Sequence, residues 1–205
     1  CWLKLVVNSE LRIDLPDRHK CIKIHAGFSI RSSEFTTIFN QQEAKPMLKL
    51  YKITRSEKQY WETWENDGIH TVHWGELGSR GKSRELSSKW LENPESLIQA
   101  EIQTLVEQGY DEIEDPFTLL IEYAVDGMGN KADVAKRHRL QDRMNETLGW
   151  TGLGHCDGGS IGSGTMEVCC LVVDFEIAKA VIEADLKDTE FGNYTRIYDE
   201  ANAGK

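Results

Sequence analysis

From residue 47 onward the apolar positions fall into short runs of recognisable period. Residues 48–53 make a brief mixed-apolar run, and residues 58–64 are rich in aromatic side chains, Tyr60, Trp61 and Trp64. Asn66-Asp67-Gly68 then predicts a tight turn, because glycine tolerates positive φ. Residues 69–77 alternate, with His70, Val72 and Trp74 on one face. Gly78-Ser79-Arg80-Gly81 predicts a second turn, and residues 83–87 return as a fourth strand. Asn93-Pro94 is a helix start, with Asn as the cap and Pro at the first helical position. Ile98, Ile102, Leu105 and Val106 form one helical stripe, which Gly109 closes. The pattern is an antiparallel meander covered by one helix.

Asp115-Pro116 marks a junction, after which the order of elements changes. Phe117, Leu119, Ile121 and Tyr123 alternate as in a half-buried strand, and residues 126–130 turn the chain. Residues 131–148 read as a helix with Leu140, Met144 and Leu148 on its apolar side and Lys136, Arg137, Arg139 and Arg143 around the rest. Residues 150–155 are short and extended, and residues 157–164 are read as a glycine-rich hairpin loop. Residues 166–173 are a near-continuous apolar strand. Asp174 caps a second helix with the stripe Phe175, Ala178, Ile182 and Leu186, and residues 194–198 close as a strand. The order β-α-β-β-α-β predicts a ferredoxin-like domain, two helices on one face of a four-stranded antiparallel sheet. The expected class is therefore α+β: a meander domain over residues 47–115 and a ferredoxin-like domain over residues 116–205. This second half resembles no specific family, and its fold alone selects no function.

Residues 1–46 differ from the rest of the chain. They carry 7 Lys+Arg against 5 Asp+Glu and show no sustained helical or alternating period. The break predicts that Met47 opens the folded part, residues 1–46 being a non-native or truncated extension; a small extension packing on the next domain is the alternative. Charge reverses beyond it. Residues 47–115 carry 8 Lys+Arg against 14 Asp+Glu, and residues 116–205 carry 9 against 15. With a net charge of −10 on 205 residues, a basic nucleic-acid coat over the whole chain is excluded, though a local basic patch is not. No run approaches the roughly 18 apolar residues of a membrane span. The five cysteines are odd in number and contain no CxxC pair, which argues against a disulfide framework and suits a cytoplasmic setting.

Within the first domain His73-Trp74-Gly75-Glu76-Leu77-Gly78, followed by Gly81-Lys82-Ser83, resembles the signature of WGR domains. The helix ending in Gln108-Gly109-Tyr110 is similar to that family's closing motif, and Tyr60-Trp61-Glu62 sits where the family has an aromatic strand. The resemblance spans residues 47–112. WGR domains occur in DNA-damage-responsive poly(ADP-ribose) polymerases, where they hold DNA ends, and as small bacterial modules, stand-alone or fused. The resemblance thus implies a binding module that recognises a macromolecule, with nucleic-acid ends as its ligand. It carries over to Trp74 as the residue packing at the terminus. Arg80, Lys82 and Arg84 supply a small basic edge, since alternate residues of a strand share a face. The chain departs from the pattern at the signature Arg, which is Glu76 here. An acid at a phosphate-facing site repels the ligand and removes a counterion-release contact. The other reading of Trp74 is a core aromatic beneath a solvated edge.

Other motifs carry less. Gly81-Lys82-Ser83 mimics the end of a phosphate-binding loop, but its required first glycine is Glu76 and a strand follows where a helix is needed. His70 and His73, oddly spaced on a strand, face apart and read as ordinary histidines. The glycine-rich loop, with Asp157, Gly158, Gly159, Ser163 and Gly164, is a candidate for holding a small ligand by backbone N–H groups, against the plainer reading of a hairpin connection. His155 and Cys156 are neighbours on a strand and cannot share a proton directly; with Cys169 they match no standard zinc spacing. Cys169 and Cys170 read as inert packing thiols. No catalytic constellation, metal site or cofactor motif is expected. Besides nucleic acid, the acidic charge suits an immunity-type or adaptor protein that binds a basic protein partner. A ferredoxin-like sheet can pair edge to edge, so a dimer stays open.

Overall fold

The computed structural model describes residues 5–7, 9–11, 47–87 and 93–202. The chain divides into two units, Cys1–Glu43 and Ala44–Lys205. In the first, the described residues are β1 (Leu5–Val7) and β2 (Ser9–Leu11), paired antiparallel. The expectation for residues 1–46 otherwise lies outside the described residues.

The second unit opens with a four-stranded antiparallel meander. Its strands β3 (Leu48–Ile53), β4 (Lys58–Asn66), β5 (Ile69–Glu76) and β6 (Lys82–Ser87) pair in sequence order. The β4–β5 turn holds Asp67 and Gly68 at φ of 50° and 76°, the mirror-image turn that matches strand twist. Helix α1 (Pro94–Glu107) starts where Asn93 accepts a hydrogen bond from Ser96 N at 3.1 Å. After it the chain reverses at Gly109. Tyr110 N then donates to Leu105 O, and Asp111 pairs with Tyr51 by two backbone hydrogen bonds. The Gln-Gly-Tyr close therefore stitches the helix end to β3.

The two faces of the meander bury different things. Leu50, Trp61 and Val72 point to α1 and surround Ile98. Tyr51, Tyr60 and Leu77 point the other way and join the core of the second sheet. Period-two alternation makes this division: Tyr60, Glu62 and Trp64 leave β4 on one side, Trp61 on the other.

The second sheet has strands β7 (Phe117–Ala124), β8 (Gly154–Gly162), β9 (Thr165–Val172) and β10 (Arg196–Asp199), in the order β10-β7-β9-β8, all antiparallel. Helices α2 (Lys131–Gly149) and α3 (Phe175–Leu186) connect them in the β-α-β-β-α-β sequence. The fold is α+β, as expected. Leu140, Met144 and Leu148 of α2 and Ala178, Ile182 and Leu186 of α3 are buried. The α2 start is a capping box between Asn130 and Asp133. No helix of the described residues is long and apolar enough to cross a membrane.

One element departs from the pattern expected of it. The stretch expected to be a glycine-rich loop is most of strand β8, and the hairpin turn is only Ser163 and Gly164, at φ of 53° and 88°. Glycine density is tolerated because β8 is an edge strand lying under α2. Arg137 Nη1 donates to Gly159 O at 2.9 Å, and a Cβ on Gly159 would stand 3.2 Å from that side chain and 2.2 Å from Glu167 O. Close approach, rather than loop flexibility, is what the glycine serves.

Candidate functional site

The residues singled out on the meander divide. Trp74 opposes Lys82 across β5–β6, and Val72 opposes Arg84, so these side chains share the face that carries α1. Trp74 is half-buried against the Leu50–Trp61–Val72–Ile98 cluster. The Arg84 guanidinium lies over its ring, 5.7 Å from the centroid. Arg84 is also ion-paired with Glu101 of α1, whose other oxygen accepts from Trp61 Nε1 at 3.0 Å. Glu101 thus ties helix, arginine and indole together and offsets the arginine charge. Lys82 and Glu76 are exposed beside the indole. Arg80 does not join them. It reaches toward α2, its Nη2 3.9 Å from Glu146 Oε1, with both side chains open to solvent. The expected three-residue basic edge is two cations, one of them paired.

A second cluster lies where the meander meets the other sheet. Its polar residues, missed as a group in the sequence, are Glu62 and His73, 4 % and 1 % exposed. His73 Nδ1 is 2.7 Å from Glu62 Oε1, and Lys49 Nζ is 2.9 Å from Oε2. His73 Nε2 donates to Arg80 O at 2.7 Å and lies 3.0 Å from the Tyr60 hydroxyl, which itself donates to Ser79 O. Burial and the Glu62 carboxylate push the Tyr60 phenol up, so it stays a donor. Trp64 and Trp150 close edge-on around the imidazole and each other. The available signal was the cross-strand match of Tyr60-x-Glu62-x-Trp64 with Thr71-x-His73-x-Gly75; the far wall, Trp150 to Gly152, comes from another part of the chain.

This junction explains the glycines of the motif. A Cβ on Gly81 would lie 2.3 Å from Trp74 O and 2.4 Å from the Tyr60 hydroxyl. One on Gly78 would meet Ile177 of α3 at 2.6 Å, and Gly78 N donates to Thr151 O at 3.0 Å. Both glycines let the β5–β6 turn press against its neighbours.

The ligand-loop residues do not form a cradle. Asp157 is exposed in a bulge, Gly158 and Gly159 are paired within β8, and Ser163 and Gly164 sit at the far end of the strand. Gly164 N is already committed to Gly127 O at 2.7 Å. The backbone donors an anion would need are therefore spread out or used. Among the described residues no three His, Cys, Asp or Glu side chains converge as a metal site.

A cleft of about 590 Å³ opens at the N-terminus of α3, lined by Lys58, Phe117, Asp174, Phe175, Lys179 and Tyr198 among others. Asp174 accepts from Ile177 N at 3.0 Å as the helix cap and pairs with Lys58 at 2.5 Å. Burial raises the Asp174 carboxyl, but the Lys58 and backbone hydrogen bonds outweigh it and hold the group below its usual range. Lys58 and Asp174 thus satisfy one another in the cleft. No protein-family model matches the chain, and neither the curated proteins nor the solved structures compared with it match.

Proposed function

We propose that the protein is a non-catalytic binding protein in which residues 47–115 are a WGR-like module, and that its partner is a basic protein surface engaged beside Trp74. The observation that supports this is the charge around the indole. Arg84 is held by Glu101, Arg80 is turned away toward Glu146, and Glu76 stands exposed on the same strand face. Of the three cations expected to meet a phosphate backbone one points elsewhere and one is ion-paired, and each half of residues 47–205 is acidic. The net acidic charge of residues 47–115, with Glu76 exposed beside a half-buried aromatic, suits a cationic partner, with charge setting encounter and the indole supplying contact area. Recognition of nucleic-acid ends is the second reading. It is favoured by Lys82 and Arg84 sharing a face with Trp74.

Glu76→Arg separates the two, because it restores a cation at the position where the WGR signature has one. Anisotropy titrations at low salt would use an arginine-rich peptide and blunt or nicked DNA duplexes. The expected result is peptide binding that weakens about tenfold in Glu76→Arg, a loss of about 1.4 kcal/mol, with no DNA binding by the unaltered protein. DNA binding that strengthens in Glu76→Arg would establish the nucleic-acid reading instead. Peptide binding indifferent to Glu76→Arg would reject this face.

A further inference from the structure

The register of the β8–β9 hairpin brings two thiols together. Counting back from the Ser163-Gly164 turn, pairing is regular from Gly162–Thr165 to Gly158–Cys169. A regular ladder would continue with Asp157 opposite Cys170 and Cys156 opposite Leu171. Instead a bulge between Cys156 and Gly158 sets Cys156 directly opposite Cys170. The inserted residue, Asp157, is exposed. The slip also moves Cys156 onto the face of Cys170, because one residue of register exchanges the two sides of a strand. Cys170 is fully buried in the core of the sheet, and Cys156 packs half-buried against that same core.

We propose that Cys156 and Cys170 form an oxidant-reactive dithiol site, in which a hydroperoxide oxidises Cys156 and Cys170 resolves the product as a cross-strand disulfide. Directly opposed residues of an antiparallel pair have Cα atoms about 4.5–5.5 Å apart, within the roughly 4.4–6.8 Å that a disulfide spans, so little backbone movement is required. Cys156 sits on the edge strand, with access to solvent that Cys170 lacks. Its backbone N–H donates to Asn145 Oδ1 of α2 at 2.9 Å, which fixes the strand beneath the helix. The hydrogen bond from Cys170 outweighs burial and draws the Cys156 thiol down to about 7, although the Cys169 carbonyl 3.1 Å from Sγ favours its protonated form. The same hydrogen bond, then burial, push Cys170 up. One thiol is therefore the nucleophile and the other keeps its proton until needed.

The chemistry balances. The Cys156 thiolate attacks one peroxide oxygen, the O–O bond breaks, and the leaving oxygen takes a proton to depart as water or an alcohol. Cys156 is then a sulfenic acid. The Cys170 sulfur attacks the Cys156 sulfur, the S–O bond breaks, and hydroxide leaves as water with the Cys170 proton. Two thiols give up two electrons and the hydroperoxide accepts them.

The test uses the full chain, hydrogen peroxide, alkylation of the remaining thiols and peptide mapping. The expected product is a peptide pair linked through Cys156 and Cys170, formed equally in Cys169→Ser and abolished in Cys156→Ser. Cys170→Ala should halt at a Cys156 sulfenic acid that dimedone traps. Should Cys170→Ala fold poorly, the linked peptide in the unaltered chain still decides. Linkage of Cys156 to Cys169, or a Cys156 that stays reduced while peroxide is consumed elsewhere, would overturn the proposal.

Discussion

Gly152→Ala is expected to cost about 2–5 kcal/mol of folding stability, read as a fall in the urea midpoint with an unchanged m-value. Two effects add. Gly152 has φ of +68°, where an L side chain carries a penalty of about 1–2 kcal/mol. The new methyl would also stand 2.3–2.7 Å from three atoms of the Tyr60 ring. That ring is 2 % exposed and cannot swing aside without losing its bonds to Ser79 O and His73. Overpacking of this kind costs about 1–3 kcal/mol. Gly149→Ala serves as the comparison. It is at the end of the preceding helix, α2, with nothing within 4 Å of an added Cβ, and should change stability little. Equal effects at the two positions would mean that the Tyr60 contact is not a structural joint.

The second large effect is expected at Glu62. Its carboxylate is buried and faces two nitrogens, His73 Nδ1 and Lys49 Nζ. Glu62→Ala removes the acceptor, leaving the buried His73 Nδ1 without one and Lys49 with water alone, at a cost of about 3–5 kcal/mol. Glu62→Gln keeps an oxygen for Nδ1 and should cost less, about 1–3 kcal/mol. Lys49→Met should be milder than Glu62→Ala, because the lysine side chain is 26 % exposed, so its pairing is partly screened by water, and the carboxylate keeps His73 Nδ1. Equilibrium urea unfolding of the three variants gives the order. If Glu62→Ala cost under about 1 kcal/mol, the polar cluster would be no more than filler.

Much of this architecture could be read from residue order. Helices α1, α2 and α3 followed from stripes such as Leu140, Met144 and Leu148, and from the caps Asn93 and Asp174, because helical period and capping are local properties. The meander followed from Asn66-Asp67-Gly68 and the alternation around Val72. Strand β8 did not. Its glycines look like a loop until Arg137 and β9 are seen to need the space, and those contacts come from other elements. Arg80 was placed with Lys82 and Arg84 by sequence spacing, but it lies in the turn outside β6, where strand alternation no longer governs direction. The Tyr60–His73–Trp150 junction depends on two distant stretches meeting. The Cys156–Cys170 pair depends on a bulge at Asp157 that no periodicity announces.

Trp74 can meet a partner on a rigid surface only if the inner face of the meander braces its outer face. Native-state amide hydrogen exchange across a denaturant series reads that bracing, by comparing Val72 in β5 with Val168 in β9, both fully buried and each at the centre of its sheet. The two amides should converge on one opening free energy as the whole unit unfolds together. A Val72 amide that exchanges through its own, lower-energy opening while Val168 stays protected would show the two sheets to be separable, and the meander would then be no rigid platform.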